Sequence, residues 1–146
     1  LETFQKVKKM LNPNGLWVIN YFGYTTGPKG KSARSILKTL KEAGFHVEIL
    51  TTPSESEADR NIIFLVSHTK FDFSKIDYEE PNLPKIKDIS QNFLDLKSID
   101  LYDAELLKDE YPRFEYLYLE PAMEWRRNAI EYEIKPAINA NLDLIK

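Results

Sequence analysis

Residues 15–40, GLWVINYFGYTTGPKGKSARSILKTL, contain the pattern that decides the fold of this chain. GLWVINYF is a nearly continuous run of apolar, β-branched and aromatic residues, which is typical of a central strand covered on both faces, as in a parallel sheet. From Ser32 onwards, apolar residues recur at helical intervals until Gly44, which is suited to cap a helix C-terminus. The stretch therefore predicts a buried strand, a glycine-containing loop and an amphipathic helix.

The loop between this strand and this helix has some features of a phosphate-binding loop. It ends in Gly30, Lys31 and Ser32 and opens a helix. A phosphate-binding loop of that type has a further glycine five residues earlier, so that successive backbone N–H groups surround the phosphates. Thr25 occupies that place. A nucleotide hydrolase is therefore disfavoured, and Lys29 and Lys31 are interpreted as solvated loop charges.

The residues on either side extend the same pattern. Residues 1–11 have helical spacing and are followed by a proline and a glycine that end a helix. Residues 45–52, FHVEILTT, and 60–68, RNIIFLVSH, are two further apolar strands joined by a short polar loop. These two strands are expected to pair as an antiparallel hairpin. Residues 1–68 are thus predicted to be an α/β unit with the order helix, strand, helix, strand, strand.

Composition excludes several classes of function. The 146 residues, 42% of them hydrophobic, suffice for one globular domain. Twenty basic and 23 acidic side chains give a net charge of -3, so we expect no nucleic-acid partner. Cysteine is absent, which excludes disulfides and thiolate catalysis and is compatible with the cytoplasmic location that we predict. No run approaches the roughly 20 apolar residues of a membrane helix, so no membrane segment is expected.

The order of elements in residues 1–68 resembles the second half of the class I SAM-dependent methyltransferase fold. It is most similar to the spermidine synthase (aminopropyltransferase) branch of that fold. There, a helix ends in Leu-x-Pro-x-Gly before the fifth strand, and the last strand often has an Asn at its start. Leu11, Pro13, Gly15 and Asn61 match this pattern.

A weaker similarity continues in LKDEYPRFEYL, residues 107–117. This stretch resembles the Asp-Asp/Glu-x-x-Pro-x-x-Glu turn of spermidine synthase-like proteins, with Lys108 where a threonine is common. In all, the resemblance covers about residues 1–68 and 103–119.

The resemblance implies a fold class and an activity. Residues 1–68 would be the C-terminal half of a Rossmann-like methyltransferase sheet, and residues 69–146 an extended connection and an α-rich extension packed on it. The intact protein would be an aminopropyl- or methyltransferase that binds decarboxylated SAM or SAM. Its glycine-rich adenosyl-binding turn and its catalytic aspartate would precede Leu1. This chain alone would then be inactive and bind no cofactor, and its partner would be the missing N-terminal half or a second copy.

The resemblance also places the loop after the fifth strand on the amine-binding side of the pocket. Asn20, Tyr21 and Tyr24 are therefore candidate contacts to a small-molecule amine, although each also has a simpler role in ending the strand or in packing. It places no catalytic residue in this chain. His46 and His68 have no further ligand at metal-binding spacing, so no metal site is predicted.

Residues 69–146 have a less regular pattern. An extended connection is predicted over residues 69–88, a short helix over residues 90–98, and a longer helix from about Pro121. Trp125, Arg126 and Arg127 are a candidate interface anchor, since Trp and Arg are common at interface hot spots. Docking of an exposed helix on its own sheet through Trp125 is the simpler alternative. A non-catalytic binding or dimerisation module that retains half of the fold therefore remains open.

Overall fold

The structure is a computed structural model, and it describes residues 1–52, 57, 60–70, 72 and 92–139, the last seven of these as backbone only. This part of the chain is mixed α/β, as the sequence predicts. Its elements are α1 (Glu2–Met10), β1 (Leu16–Phe22), a 3-10 turn (Pro28–Gly30), α2 (Lys31–Glu42), β2 (His46–Thr51), β3 (Asn61–Ser67) and α3 (Phe114–Asn139).

The three strands form one antiparallel sheet with β3 in the middle. β3 runs antiparallel to both β1 and β2, so the predicted hairpin of β2 and β3 is confirmed. β1 pairs with β3 from Leu16 opposite Ser67 to Phe22 opposite Asn61. β1 is an edge strand of this sheet, so the prediction that it is central is wrong for the sheet that the described residues form. The carboxyl ends of β1 and β2 lie at the same end of the sheet.

The core lies on one face of the sheet. Ile62, Phe64 and Val66 alternate along β3 and are fully buried, because every second residue of a strand points to the same face. Leu37 and Leu40 of α2 are fully buried in the same cluster. Ring contacts join α1 and α3 to it: Phe4 with Trp17, and Tyr21 with Phe114 and Tyr118.

The opposite face of β1 is apolar and open. Val18 is 53% exposed and Leu16 is 37% exposed. Leu65, the register partner of Val18 on β3, is half-buried. An antiparallel sheet with one solvated face normally carries polar side chains there. These apolar residues therefore indicate a face that is suited to be covered.

Polar side chains on the buried side of α2 bind the chain that precedes α3. The hydroxyl oxygens of Ser35 and Thr39 accept the backbone N–H groups of Glu105 and Leu107, each at 2.9 Å. The same hydroxyls donate to carbonyl oxygens of α2 itself. Residues from both predicted parts of the chain thus share one core.

The last helix starts earlier than predicted. α3 begins at Phe114, and Pro121 lies buried in its interior. Proline lacks an N–H group, and for that reason it is read from sequence as a residue of the first helical turn. The packing of Phe114 and Tyr118 against Tyr21 adds turns before the proline that the sequence pattern does not indicate.

The predicted short helix is wrong over the described residues 92–98. No α-helix forms there, and the N–H of Leu94 donates to the carbonyl of Ile49 at 2.9 Å. This segment therefore lies along the outer edge of β2. Residues 90 and 91, and nearly all of the predicted connection over 69–88, lie outside the described residues.

Candidate functional site

A charged cavity of about 580 Å³ lies at the carboxyl ends of β1 and β2. Residues 25–27, which follow β1, form one wall. Glu57 and Arg60, which lie between β2 and β3, form a second wall, and residues from 94 to 103 close the third side. Ligands of open α/β sheets bind outside the carboxyl ends of the strands. We call this cavity the charged cavity and treat it as the candidate site.

Arg34 holds the loop that forms the first wall. Its side chain is buried, and two of its N–H groups donate to the two carboxylate oxygens of Asp103, at 2.9 and 2.6 Å. Two further donations, both at 2.9 Å, reach the carbonyl oxygens of Thr25 and Gly27. Hydrogen bonding to Arg34 lowers the pKa of Asp103 below its usual value. Arg34 therefore fixes the loop and is already paired with an anion.

Glu57 holds the same loop from the other side. The hydroxyls of Thr25 and Thr26 donate to its two oxygens, at 2.5 and 2.6 Å, and Arg60 forms an ion pair with it. Burial acts to raise the pKa of Glu57, but the threonine hydrogen bonds and Arg60 outweigh it, so that the pKa lies below its usual value. Glu57 is thus ionised at neutral pH. The Nε atom of Arg60 is buried and has no partner among the described residues.

Carboxylates outnumber guanidinium groups in the charged cavity. The charged residues that line it are Glu57, Asp100, Asp103, Arg34 and Arg60. Asp103 is paired with Arg34, and Glu57 is paired with Arg60. Asp100 is the carboxylate that these two arginines do not bind. Asp100 is exposed, and one of its oxygens accepts the N–H of Tyr102 at 2.8 Å. Because an ionised carboxylate has about four acceptor positions, Asp100 can bind a further donor. The cavity therefore suits a small cationic group better than an anion.

The structure separates the three predicted amine contacts. Asn20 is exposed on the open face of β1, whereas Tyr21 is buried on the opposite face. The Tyr21 hydroxyl lies 2.6 Å from the hydroxyl oxygen of Ser32, and burial raises the pKa of Tyr21 to about 12. Tyr24 lies beside Lys29, whose ammonium is 5.3 Å from the ring centroid. None of the three lines the charged cavity within the described structure, and their contact with an amine stays a prediction.

The loop before α2 lacks the geometry of a phosphate-binding loop. The N–H of Gly30 donates to the carbonyls of Thr26 and Gly27, at 3.1 and 3.2 Å. Lys29 pairs with a glutamate of α3, and Lys31 pairs with Glu105 at 2.7 Å. The side chains of both lysines remain about one-third exposed, and each also pairs with a carboxylate, which the interpretation as solvated charges did not include. With its N–H group and its lysines engaged, this loop does not fit a nucleotide phosphate.

The predicted interface residues lie on α3. Trp125 packs on Phe22 of β1, with ring centroids 4.8 Å apart, and is 36% exposed. Arg126 and Arg127 are exposed. Trp125 is thus largely used within the chain, while the role of the three residues in an interface stays a prediction.

The sequence did not predict two features of the site. One is the pair of Arg34 and Asp103, and the other is the binding of Glu57 by two threonines. Arg34 lies between Ala33 and Ile36 of the apolar helical pattern, and a charged residue so placed needs a buried partner. That partner lies 69 residues further along the chain, and nothing in the sequence identifies it.

Comparison of the chain with protein-family models, with curated proteins and with solved structures gives no match. Among the helices of the described residues, none combines the length and the apolar composition that a membrane crossing requires. The described part of the chain also has no group of three or more His, Asp or Glu side chains arranged to hold a metal ion.

Proposed function

We propose that this chain is the C-terminal part of a spermidine synthase-like aminopropyltransferase or a related SAM-dependent transferase, in which it forms the acceptor side of the site. The observed order of helix, strand, helix, strand, strand supports the proposal, because the resemblance implies the same order. So does the antiparallel pairing of the last two strands. The finer assignment to half of a Rossmann-like sheet is part of this proposal.

The observation that carries the proposal is the open apolar side of β1. Val18 and Leu16 are exposed, and the outer edge of β1 pairs with no strand among the described residues. Exposed edges of this kind are normally paired or covered in native proteins. A further strand beside β1 would make it central, as its continuous apolar sequence predicts. In the proposed domain, the adenosyl-binding half lies there.

The charged cavity supports an amine as the acceptor. Amines of the polyamine class are protonated at neutral pH and bind carboxylates through charge-assisted hydrogen bonds. Asp100 offers such a carboxylate at the end of the sheet where α/β proteins bind their ligands. We therefore assign amine binding to Asp100, with Glu57 and Asp103 as structural carboxylates.

The described residues do not fit SAM or decarboxylated SAM. Binding of either compound requires a glycine-rich turn with free N–H groups. In the loop after β1, Arg34 binds the carbonyl of Thr25 and Glu57 binds the N–H of Thr26. The N–H of Gly30 already donates to carbonyl oxygens of the same loop. Transfer is accordingly proposed for the intact domain and not for this chain alone.

The test uses the longest protein of the reading frame that contains this chain. Aminopropyl transfer from decarboxylated SAM to a diamine such as putrescine, and methyl transfer from SAM, are measured for that protein and for residues 1–146. We expect transfer by the longer protein only. The Asp100→Asn variant of the longer protein is expected to raise KM for the amine about tenfold, the effect of losing one charge-assisted hydrogen bond, with KM for the SAM compound unchanged.

Asp95→Asn is the matched control. The carboxylate of Asp95 accepts the N–H of Lys97 at 3.0 Å, two residues on, as Asp100 accepts that of Tyr102, but Asp95 does not line the charged cavity. The control should leave both KM values unchanged. A longer protein that folds but binds neither SAM compound would overturn the transferase proposal and favour the non-catalytic module. Transfer with an unchanged KM in Asp100→Asn would overturn only the amine role of the cavity.

A further inference from the structure

Helix α3 carries apolar side chains on two opposite sides. One side faces the sheet, where Phe114 and Tyr118 contact Tyr21, and Trp125 contacts Phe22. On the other side four large apolar residues are 72, 56, 57 and 48% exposed: Tyr116, Leu119, Met123 and Ile130. Because residues three, four and seven positions apart share one side of an α-helix, these four lie in one row, in which Arg126 occupies the turn between Met123 and Ile130. We call this row the outer stripe.

The outer stripe is exposed to solvent in the described structure of one chain. A row of exposed, large apolar side chains on one helix is typical of a surface that contacts another protein. A helix that is apolar on two sides is typical of a helix packed between two layers, and among the described residues only the sheet-facing layer is present. A groove of about 520 Å³ between the stripe and the loop at Pro28 provides room for side chains of a second surface.

Charges beside the outer stripe identify that second surface. Glu120 and Arg127 are exposed and seven residues apart, so they lie on the same flank of the stripe, two turns from each other. In an antiparallel pair of α3 helices with Leu119 opposite Ile130 of the partner subunit, Glu120 of each chain lies beside Arg127 of the partner subunit. The stripe is thus self-complementary in charge, as an isologous two-fold contact requires.

The parallel arrangement lacks this complementarity. In parallel pairs, flanking residues five apart in sequence meet between the two helices. Glu120 would then lie beside Glu115 of the partner subunit, and two like charges would repel. The charge pattern therefore favours the antiparallel arrangement.

We propose that the outer stripe is a homodimer interface, in which two copies of α3 pack antiparallel about a two-fold axis with two Glu120–Arg127 ion pairs between the chains. Arg126 covers Met123 of the partner subunit with its aliphatic stem in this register. The interface uses no residue of the charged cavity, so its existence is independent of the transferase proposal.

The first experiment measures the mass of the chain by sedimentation equilibrium over a range of concentrations. We expect a reversible monomer–dimer equilibrium. Glu120→Arg and Arg127→Glu should each raise the Kd of the dimer about tenfold, because each change removes two rim ion pairs and brings like charges together. The double variant should recover the original Kd. Within one chain the two residues are about 10 Å apart along the helix, so an intrachain pair does not explain the recovery.

Glu42→Arg is the control, since Glu42 is exposed at the end of α2 and far from α3 in sequence; it should leave the Kd unchanged. Thermal unfolding of every variant is followed by circular dichroism, so that a loss of dimer is separated from a loss of fold. A monomer at all concentrations would overturn the proposal. A dimer whose Kd is unchanged by both single charge reversals would also overturn it. If Val18→Lys alone dissociates the dimer, the contact lies on β1 instead.

The orientation is tested with a spin label. The chain has no cysteine, so Glu115→Cys gives a single labelling site at an exposed position of α3 that flanks the outer stripe. In the proposed register the two labels are offset by about 19 residues, which is about 28 Å along the helix axis. A parallel pair would place the labels side by side, and a short distance would therefore overturn the antiparallel arrangement.

Discussion

Arg34 and Asp103 form a two-point ion pair that joins the second turn of α2 to the segment that precedes α3. The same guanidinium donates to two carbonyl oxygens of the loop after β1. One side chain thus determines the shape of the loop and the position of one wall of the charged cavity.

Removal of Arg34 is expected to destabilise the chain strongly. Arg34→Met leaves the carbonyls of Thr25 and Gly27 without a donor and Asp103 without its counter-ion. Because Asp103 is partly solvated, we expect a loss of about 2 kcal/mol in the free energy of unfolding, measured by urea denaturation. Lys41→Met, at an exposed position of the same helix, should change it by less than about 0.5 kcal/mol. Equal effects of the two changes would contradict the role given to Arg34.

Glu57 should make stability depend on acidic pH. Its pKa is lowered in the folded chain, so its contribution is present above the ordinary glutamate value of about 4.3 and is lost as the pH falls through the folded pKa. The free energy of unfolding should therefore fall less steeply with acid in Glu57→Gln than in the unchanged chain. Urea denaturation at several pH values below about 5 compares the two slopes. Parallel slopes would show that Glu57 is not held as described.

Tyr21 should make stability depend on alkaline pH, with stability falling as the pH rises. Its pKa is raised to about 12 in the folded chain, whereas an unfolded tyrosine loses its proton near pH 10. Above about pH 10 the unfolded state therefore releases a proton that the folded state keeps, and stability falls as the pH rises. Tyr21→Phe should lessen this alkaline loss, as followed by tyrosinate absorbance during unfolding. An unchanged alkaline profile would contradict the burial of the hydroxyl.

The hydroxyl pair of Tyr21 and Ser32 should also be measurable at neutral pH. The two oxygens lie 2.6 Å apart in the core, and Ser32 is fully buried. Tyr21→Phe or Ser32→Ala alone should cost about 1 kcal/mol, since each leaves one buried hydroxyl unpaired. The double variant should cost less than the sum of the single changes. Additive losses in this double-mutant cycle would indicate that the hydroxyls do not interact.

Two loop glycines should differ in their tolerance of alanine. A Cβ atom at Gly30 would lie 2.5 Å from the carbonyl carbon of Thr25 and from a guanidinium nitrogen of Arg34. A Cβ atom at Gly27 would meet open space, although its φ of 60° disfavours a side chain. Gly30→Ala should therefore cost about 2 to 3 kcal/mol and Gly27→Ala about 1 kcal/mol in unfolding free energy. The reverse order would contradict the close packing of the loop.

The periodicity of the sequence was sufficient to predict α1, α2 and the three strands, because their apolar residues repeat with a clear helical or extended pattern. It was insufficient for the start of α3, where Pro121 resembles a first-turn residue and only contacts with Tyr21 explain the earlier turns. The walls of the charged cavity were also beyond sequence reasoning. They depend on pairs such as Arg34 with Asp103, whose members are brought together by tertiary packing alone.

The position of β3 between the other strands sets an order for the assembly of the sheet. β2 and β3 are neighbours in sequence and can pair as soon as both have left the ribosome, whereas β1 has no described strand partner other than β3. Closing the pair of β1 and β3 requires a loop that runs from Phe22 to Asn61, and long loops make strand pairing slow. During synthesis β1 therefore cannot pair with β3 until residues 61–67 have been made.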